Sequence, residues 1–143
     1  MNKEISDYTF DEIKLGTTKS FEVEITEAML DTFANLSGDF NPLHMDKEYA
    51  NSEGFSGRVC SGMLLGSFFS RLIGMYLPGK NSLYFSQSLN FVNPCVINEK
   101  ITISGEVLDK STASKIITVK TTIINESKKT IVDGVACVRI RDN

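Results

Sequence analysis

An α+β fold, with one antiparallel sheet wrapped around a long central helix, is what this 143-residue sequence predicts. Three observations lead there. The stretch Cys60 to Tyr76 holds no proline and a single charge, Arg71. Everything after it, from Ser82 to the carboxyl end, alternates apolar and polar residues between short polar turns. A further strand-like run, Thr18 to Ile25, precedes the helix. A sheet that must cover a helix apolar on most sides wraps around it.

The elements follow in order. Thr18 to Ile25 reads as a strand, and Thr26 to Asn35 as a short helix with Thr26 as its N-cap. The central segment carries Met63, Leu64, Leu65, Phe68, Phe69, Leu72, Ile73 and Met75, so it is buried nearly all round. It is too short, and too interrupted by Gly, Ser and Arg, to span a membrane. Gly62, Gly66, Ser70 and Gly74 recur every fourth residue and form one stripe of small side chains. Close helix packing and a ligand lying along the helix explain that stripe equally well.

In the β-patterned half, Ser82 to Val92 places Leu83, Phe85, Leu89 and Phe91 on one face, and Asn93-Pro94 stops it. Lys100 to Leu108 alternates Ile101, Ile103, Gly105 and Val107 with polar residues, and Asp109-Lys110-Ser111 reads as a turn. Lys115 to Asn125, a turn at Glu126 to Lys129, and Thr130 to Arg141 complete a four-strand meander. No repeat or linker divides the chain, so residues 1–143 read as one domain with a real core.

The sequence Ser-Gly-Asp-Phe-Asn-Pro-Leu-His spans Ser37 to His44, and His44 is the only histidine. Pro42 biases Asn41 to extended backbone and Gly38 permits a tight approach, so this is a shaped loop that can aim Asp39 and His44 at one point. A carboxylate beside an imidazole is an acid/base device. Spacing alone also suits a simple Asx turn at Asp39 with a bystander histidine. At Ser61-Gly62 the central helix begins, and its free N–H groups and positive dipole end suit a developing oxyanion.

The segment Ser37 to Phe91 resembles the MaoC-like (R)-specific enoyl-CoA hydratases of the hot-dog fold, and the strand order extends the resemblance over nearly the whole chain. Gly38 to His44 followed by Asp46 matches that family's hydratase motif. Ser61-Gly62-Met63-Leu64 falls where the family usually has His-Gly-Met. Leu77-Pro78-Gly79 and Ser86-Gln87-Ser88-Leu89-Asn90-Phe91 match the segments after its central helix.

The resemblance implies reversible syn addition of water to a trans-2-enoyl thioester, giving the (R)-3-hydroxyacyl thioester. Asp39 and His44 are then expected to hold one water, and the Gly62 N–H to polarise the thioester carbonyl. Asn41 of the same motif and Ser70 of the small-residue stripe are expected at the substrate, although a Ser70 hydroxyl bonded back to the Gly66 carbonyl serves the sequence equally well. Ile73, one turn beyond Ser70, is expected to close an acyl tunnel and favour chains of about four to six carbons. An acyl-CoA substrate, a homodimer and no cofactor or metal complete what the resemblance implies. The departure at Ser61 bears on the oxyanion turn, where Ser61 is a candidate N-cap. A 3-hydroxyacyl thioester dehydratase of a biosynthetic pathway and a non-catalytic acyl-thioester-binding subunit are the alternatives; a thioesterase is a weaker one.

Composition sets the outer limits. A net charge of −3 disfavours nucleic acid and anionic membranes as partners. Met1 to Lys14 is polar and mixed, without a leader's apolar core, and a cytoplasmic location is expected. Met1 to Thr9 is expected to be mobile. Cys60, Cys95 and Cys137 form no CxxC, and their odd count argues against a disulfide framework. Arg58, Arg71 and Lys80 lie near the central helix, where solvated surface or a phosphate contact would suit them.

Overall fold

The computed structural model describes residues 4–142. A strand β1 (Thr18–Glu24) leads to helix α1 (Glu27–Ser37), two short helices α2 (Pro42–Met45) and α3 (Lys47–Ser52), and the central helix α4 (Gly62–Arg71). Strands β2 (Ser82–Gln87), β3 (Asn90–Phe91), β4 (Lys100–Ser111), β5 (Ile116–Asn125) and β6 (Thr130–Ile140) follow. All six strands form one antiparallel sheet in the order β1-β4-β5-β6-β2, with β3 also on β6.

Alternation in the three long strands decides which face meets the helix. Ile101, Ile103 and Val107 of β4, Ile117, Val119, Thr121 and Ile123 of β5, and Ala136, Val138 and Ile140 of β6 are all buried. Leu64, Leu65, Phe69 and Leu72 fill the concave side against them, with Phe69 fully buried. Past Arg71 the helix widens into one π turn, Leu72–Tyr76, before Leu77 ends it.

Several expectations need correction. The meander has three strands, β4 to β6; the run after the helix pairs with β6 rather than β4, because its chain crosses the sheet before β4 begins. That run is broken at Ser88 and Leu89, and its first half is inverted while Leu89 and Phe91 still meet the central helix. A register shift between Tyr84 and Ser86 bulges the strand at Phe85, and Leu83 and Phe85 face outward while Tyr84 packs on the core. The turn expected at Asp109 to Ser111 lies at Thr112 to Lys115, since a second bulge at Leu108 lets β4 continue. The amino-terminal segment is tied down where described: the Ser6 N–H donates to the Met75 carbonyl at 2.9 Å, Asp7 bridges Gly79, and Asn81 donates to Asp7 and Tyr8. Met1 to Lys3, included in that expectation, lie outside the described residues. Helices α2 and α3 go beyond the sequence reading; each exists through an Asx cap, Asn41 for one and Asp46 for the other.

Candidate active site

Helix α1 ends at Gly38, whose left-handed backbone (φ 79°) and N–H bond to the Ala34 carbonyl turn the chain sharply. The turn delivers Asp39 directly into an Asx turn: its Oδ1 accepts the Asn41 N–H at 3.1 Å. That bond fixes the carboxylate and leaves Oδ2 facing His44, whose Nε2 is 3.8 Å away. One carboxylate thus shapes the turn and faces the imidazole. Asn41, expected at the substrate, has a structural role in its own loop. Its Oδ1 caps α2 by accepting the Leu43 N–H at 2.9 Å.

His44 is held from behind. Its Nδ1 lies 2.8 Å from the Val59 carbonyl oxygen. A carbonyl only accepts, so Nδ1 carries a proton; in the neutral tautomer that leaves Nε2 as the acceptor turned toward Asp39. The Val59 N–H in turn donates to the Leu43 carbonyl at 3.0 Å. Val59 thus grips both sides of α2, and it is steadied by its own bridge to Val96.

Two acceptors, the Asp39 Oδ2 and the His44 Nε2, border a space of about 10 Å³ lined also by Leu30, Phe33, Ala34, Ser61 and Leu64. That is the scale of a single water molecule. A water placed there would have both groups within reach as acceptors.

His44 and Ser61 also border a larger cavity, about 370 Å³, lined by Cys60, Gly62, Met63, Leu65, Phe91 and Asn93 among others. The first-turn N–H of Gly62 has no acceptor among the described residues. Ser61 sits at the N-cap with extended backbone, but its side chain makes no capping bond, so its expected capping role is not met. Phe91 explains the glycine at 62: a Cβ there would come within 2.8 Å of its ring, and one at Gly66 within 3.0 Å of Leu89. The small-residue stripe therefore seats the β2–β3 segment against the helix, at least over these two positions.

Ser70 and Ile73 stand apart from this place. Ser70 is exposed on α4, two turns beyond Gly62. Ile73 is 1% exposed within a core cluster of Leu77, Val107, Ile117 and Val138, and it borders neither cavity that His44 borders. The π turn directs it into the sheet, so its expected place at a tunnel end gives way to a core one.

Cys60 and Cys95 face each other across the ladder beside the site, with the Cys60 N–H donating to the Cys95 carbonyl at 2.7 Å. Burial pushes the Cys60 thiol up to about 12 and raises that of Cys95 as well. Both stay protonated at neutral pH and are poor nucleophiles. Iodoacetamide at about pH 7.5 should accordingly modify native protein at Cys137 first, with Cys60 and Cys95 reacting only in denaturant; mass spectrometry of partially labelled protein checks this. Among the described residues no group of His, Cys, Asp and Glu is arranged to hold a metal ion, and no helix is long and apolar enough to cross a membrane.

Sequence reasoning missed Val59 and the seating of Phe91 on Gly62, because both depend on non-local pairing. It also misplaced Arg58, which is 8% exposed. The one signal available was Glu27 and Asp31, four apart on α1 and ready to pair a buried cation.

A curved antiparallel sheet around one helix, with an Asp–His pair at that helix's amino-terminal end, defines a hot-dog protein with a hydratase-type site. The chain belongs to the MaoC-like domain family, whose profile matches residues 12–129. It is 36% identical to an (R)-specific enoyl-CoA hydratase from Aeromonas caviae, over 90% of this chain and 96% of the relative. An enzyme of the same description from Rhodospirillum rubrum is 34% identical over 92% of this chain and 90% of its own length. Among solved structures, an unliganded R-hydratase from Pseudomonas aeruginosa superposes with a TM-score of 0.92 at 31% identity, covering 97% of this chain and 89% of that one.

Proposed function

We propose that this chain is a hydro-lyase that adds water reversibly to a trans-2-enoyl-CoA thioester, giving the (R)-3-hydroxyacyl thioester. The observation that carries the reading is the pair Asp39 Oδ2 and His44 Nε2, 3.8 Å apart beside a water-sized space that both residues line. The likeness to relatives named (R)-specific enoyl-CoA hydratases supports the substrate class and the stereochemistry.

The chemistry follows from the hydrogen-bond roles. Water bound by both acceptors directs a lone pair at C3 of the enoyl group. As the new C3–O bond forms, one O–H bond breaks and its proton enters the Asp39–His44 pair. The C2=C3 π electrons move toward C2 and the thioester carbonyl, whose oxygen gains negative charge. The Gly62 N–H, at the positive end of α4, stabilises that charge. The enolate then takes a proton from the pair at C2, on the face that received the hydroxyl, and the pair returns to its starting charge. Asp39 and His44 act as one unit throughout. The reverse sequence dehydrates a 3-hydroxyacyl thioester with the same groups. A crotonyl-CoA hydration assay tests the reading, with turnover as its expected result and no absorbance change at any enzyme concentration as the contrary one.

The acyl-CoA thioester is the partner in this reading, the whole chain is one MaoC-like domain, and three free thiols suit a reducing cytoplasmic setting. The protein is also a homodimer in our reading. β2 is an edge strand whose outward Leu83 and Phe85 are 44% and 55% exposed, and Phe91, Val92 and Val135 continue the apolar surface. An edge of that kind is covered in a stable soluble protein. Sedimentation should show a dimer at micromolar concentration, and the double variant Leu83→Lys, Phe85→Glu should shift it to monomer. A wild-type monomer would contradict the assignment.

A further inference from the structure

We infer that Arg58 is a positioning residue for His44, a role that rests on the hydratase reading above. The guanidinium is buried and spends its donors on two elements, α1 and α2. Its Nη2 lies 2.6 Å from Asp31 Oδ1, its Nη1 is 3.6 Å from Glu27 Oε1, and its Nε donates to the His44 carbonyl at 2.6 Å. Nη2 also lies 3.6 Å from the Met45 sulfur. Through its backbone, Arg58 accepts the Ile97 N–H at 2.9 Å and so belongs to the ladder that leads into the oxyanion turn.

One residue therefore ties α1, the end of α2 and the approach to α4 together. The need for such a tie is physical. α2 has only four residues, far below the length at which a helix holds itself. The direction of the His44 ring depends on bonds from outside α2: Val59 on Leu43 and on Nδ1, and Arg58 on the His44 carbonyl. A buried guanidinium is retained only where its charge is paired and its N–H groups are used, as here by Asp31 and Glu27. Arg58 borders neither cavity at His44, so it touches no substrate and acts through the histidine.

The test compares Arg58→Met, Arg58→Lys and Asp31→Asn in tag-free protein with crotonyl-CoA, alone and in a His44→Gln background. Arg58→Met should lower kcat by roughly 10–100-fold, the scale for misplacing a reacting group by about 1 Å, while KM moves less than about threefold. Lysine keeps the charge and one bond but cannot grip Asp31 and the His44 carbonyl together, so Arg58→Lys should fall between wild type and Arg58→Met. Asp31→Asn should show a smaller loss of the same kind. In the His44→Gln background the Arg58→Met effect should disappear, because its route of action is gone. His44 is the sole histidine, so its imidazole C–H signals are unambiguous in the proton NMR spectrum. They should shift in both Arg58 variants and in Asp31→Asn.

A folded Arg58→Met with wild-type kcat overturns the inference. So does a loss that multiplies undiminished with His44→Gln, which marks a general structural effect. If Arg58→Met does not fold, Arg58→Lys and Asp31→Asn decide: unchanged kcat and unmoved imidazole signals in both overturn it. Wild-type turnover in His44→Gln is a separate outcome, and it removes the hydratase reading together with the inference.

Discussion

Asp39→Asn and His44→Gln each reduce crotonyl-CoA turnover by roughly two to four orders of magnitude, the range for a general acid/base group. The two variants fail for different reasons. An asparagine in place of Asp39 keeps the shape and the turn-forming oxygen that accepts the Asn41 N–H, but it loses the charge at the second oxygen's position. A glutamine in place of His44 can still reach a carbonyl but does not titrate. In the proposed mechanism the two groups, 3.8 Å apart, act on one water, so the double variant should be little worse than either single one. Steady-state kinetics of the four enzymes checks this, and fully multiplicative losses would show that the two groups act on different protons.

Replacing Gly62 by proline should cost about 2.7–4 kcal/mol in the barrier, or roughly 10²–10³ in kcat, the range for an oxyanion donor. The position is well suited to this test. Gly62 is the first residue of α4, where proline is tolerated, and Ser61 before it already has the extended backbone that proline demands (φ −60°, ψ 134°). Proline therefore removes the N–H with little change to the helix. Its Cβ would meet the Phe91 ring at 2.8 Å, so the comparison is made in a Phe91→Ala background. Phe91→Ala alone should retain most activity, and the Gly62→Pro, Phe91→Ala enzyme should remain folded by circular dichroism while losing kcat. Equal rates in the two would leave the carbonyl without its assigned donor.

Local chemistry carries most of what is legible in the sequence. Thr26 caps α1 as expected, accepting the Met29 N–H at 3.2 Å, and the inward residues of β4 and β5 follow their alternation without exception from Ile101 to Val107 and from Ile117 to Ile123. The Asp39 to His44 loop is readable for the same reason: proline, glycine and Asx residues write their own geometry. What escapes reading depends on partners far along the chain. Leu83 and Phe85 face outward because β2 lands on β6, the last strand, and alternation cannot reveal which face a distant partner will cover. Extending a straight helix carries Ile73 to a ligand, whereas the π turn at Leu72–Tyr76 rotates it into the core. Arg58 reads as a surface charge until α1 supplies the carboxylates that bury it.

The central claim, water delivered by the Asp39–His44 pair to one face of an enoyl thioester, is tested most directly by hydrating crotonyl-CoA in D₂O and resolving the product. The account predicts (R)-3-hydroxybutyryl-CoA with deuterium at C2 on the same face as the new hydroxyl, and loss of that product in Asp39→Asn. An (S) product, anti placement of deuterium, or release of free coenzyme A thiol without a hydroxyacyl thioester would contradict it.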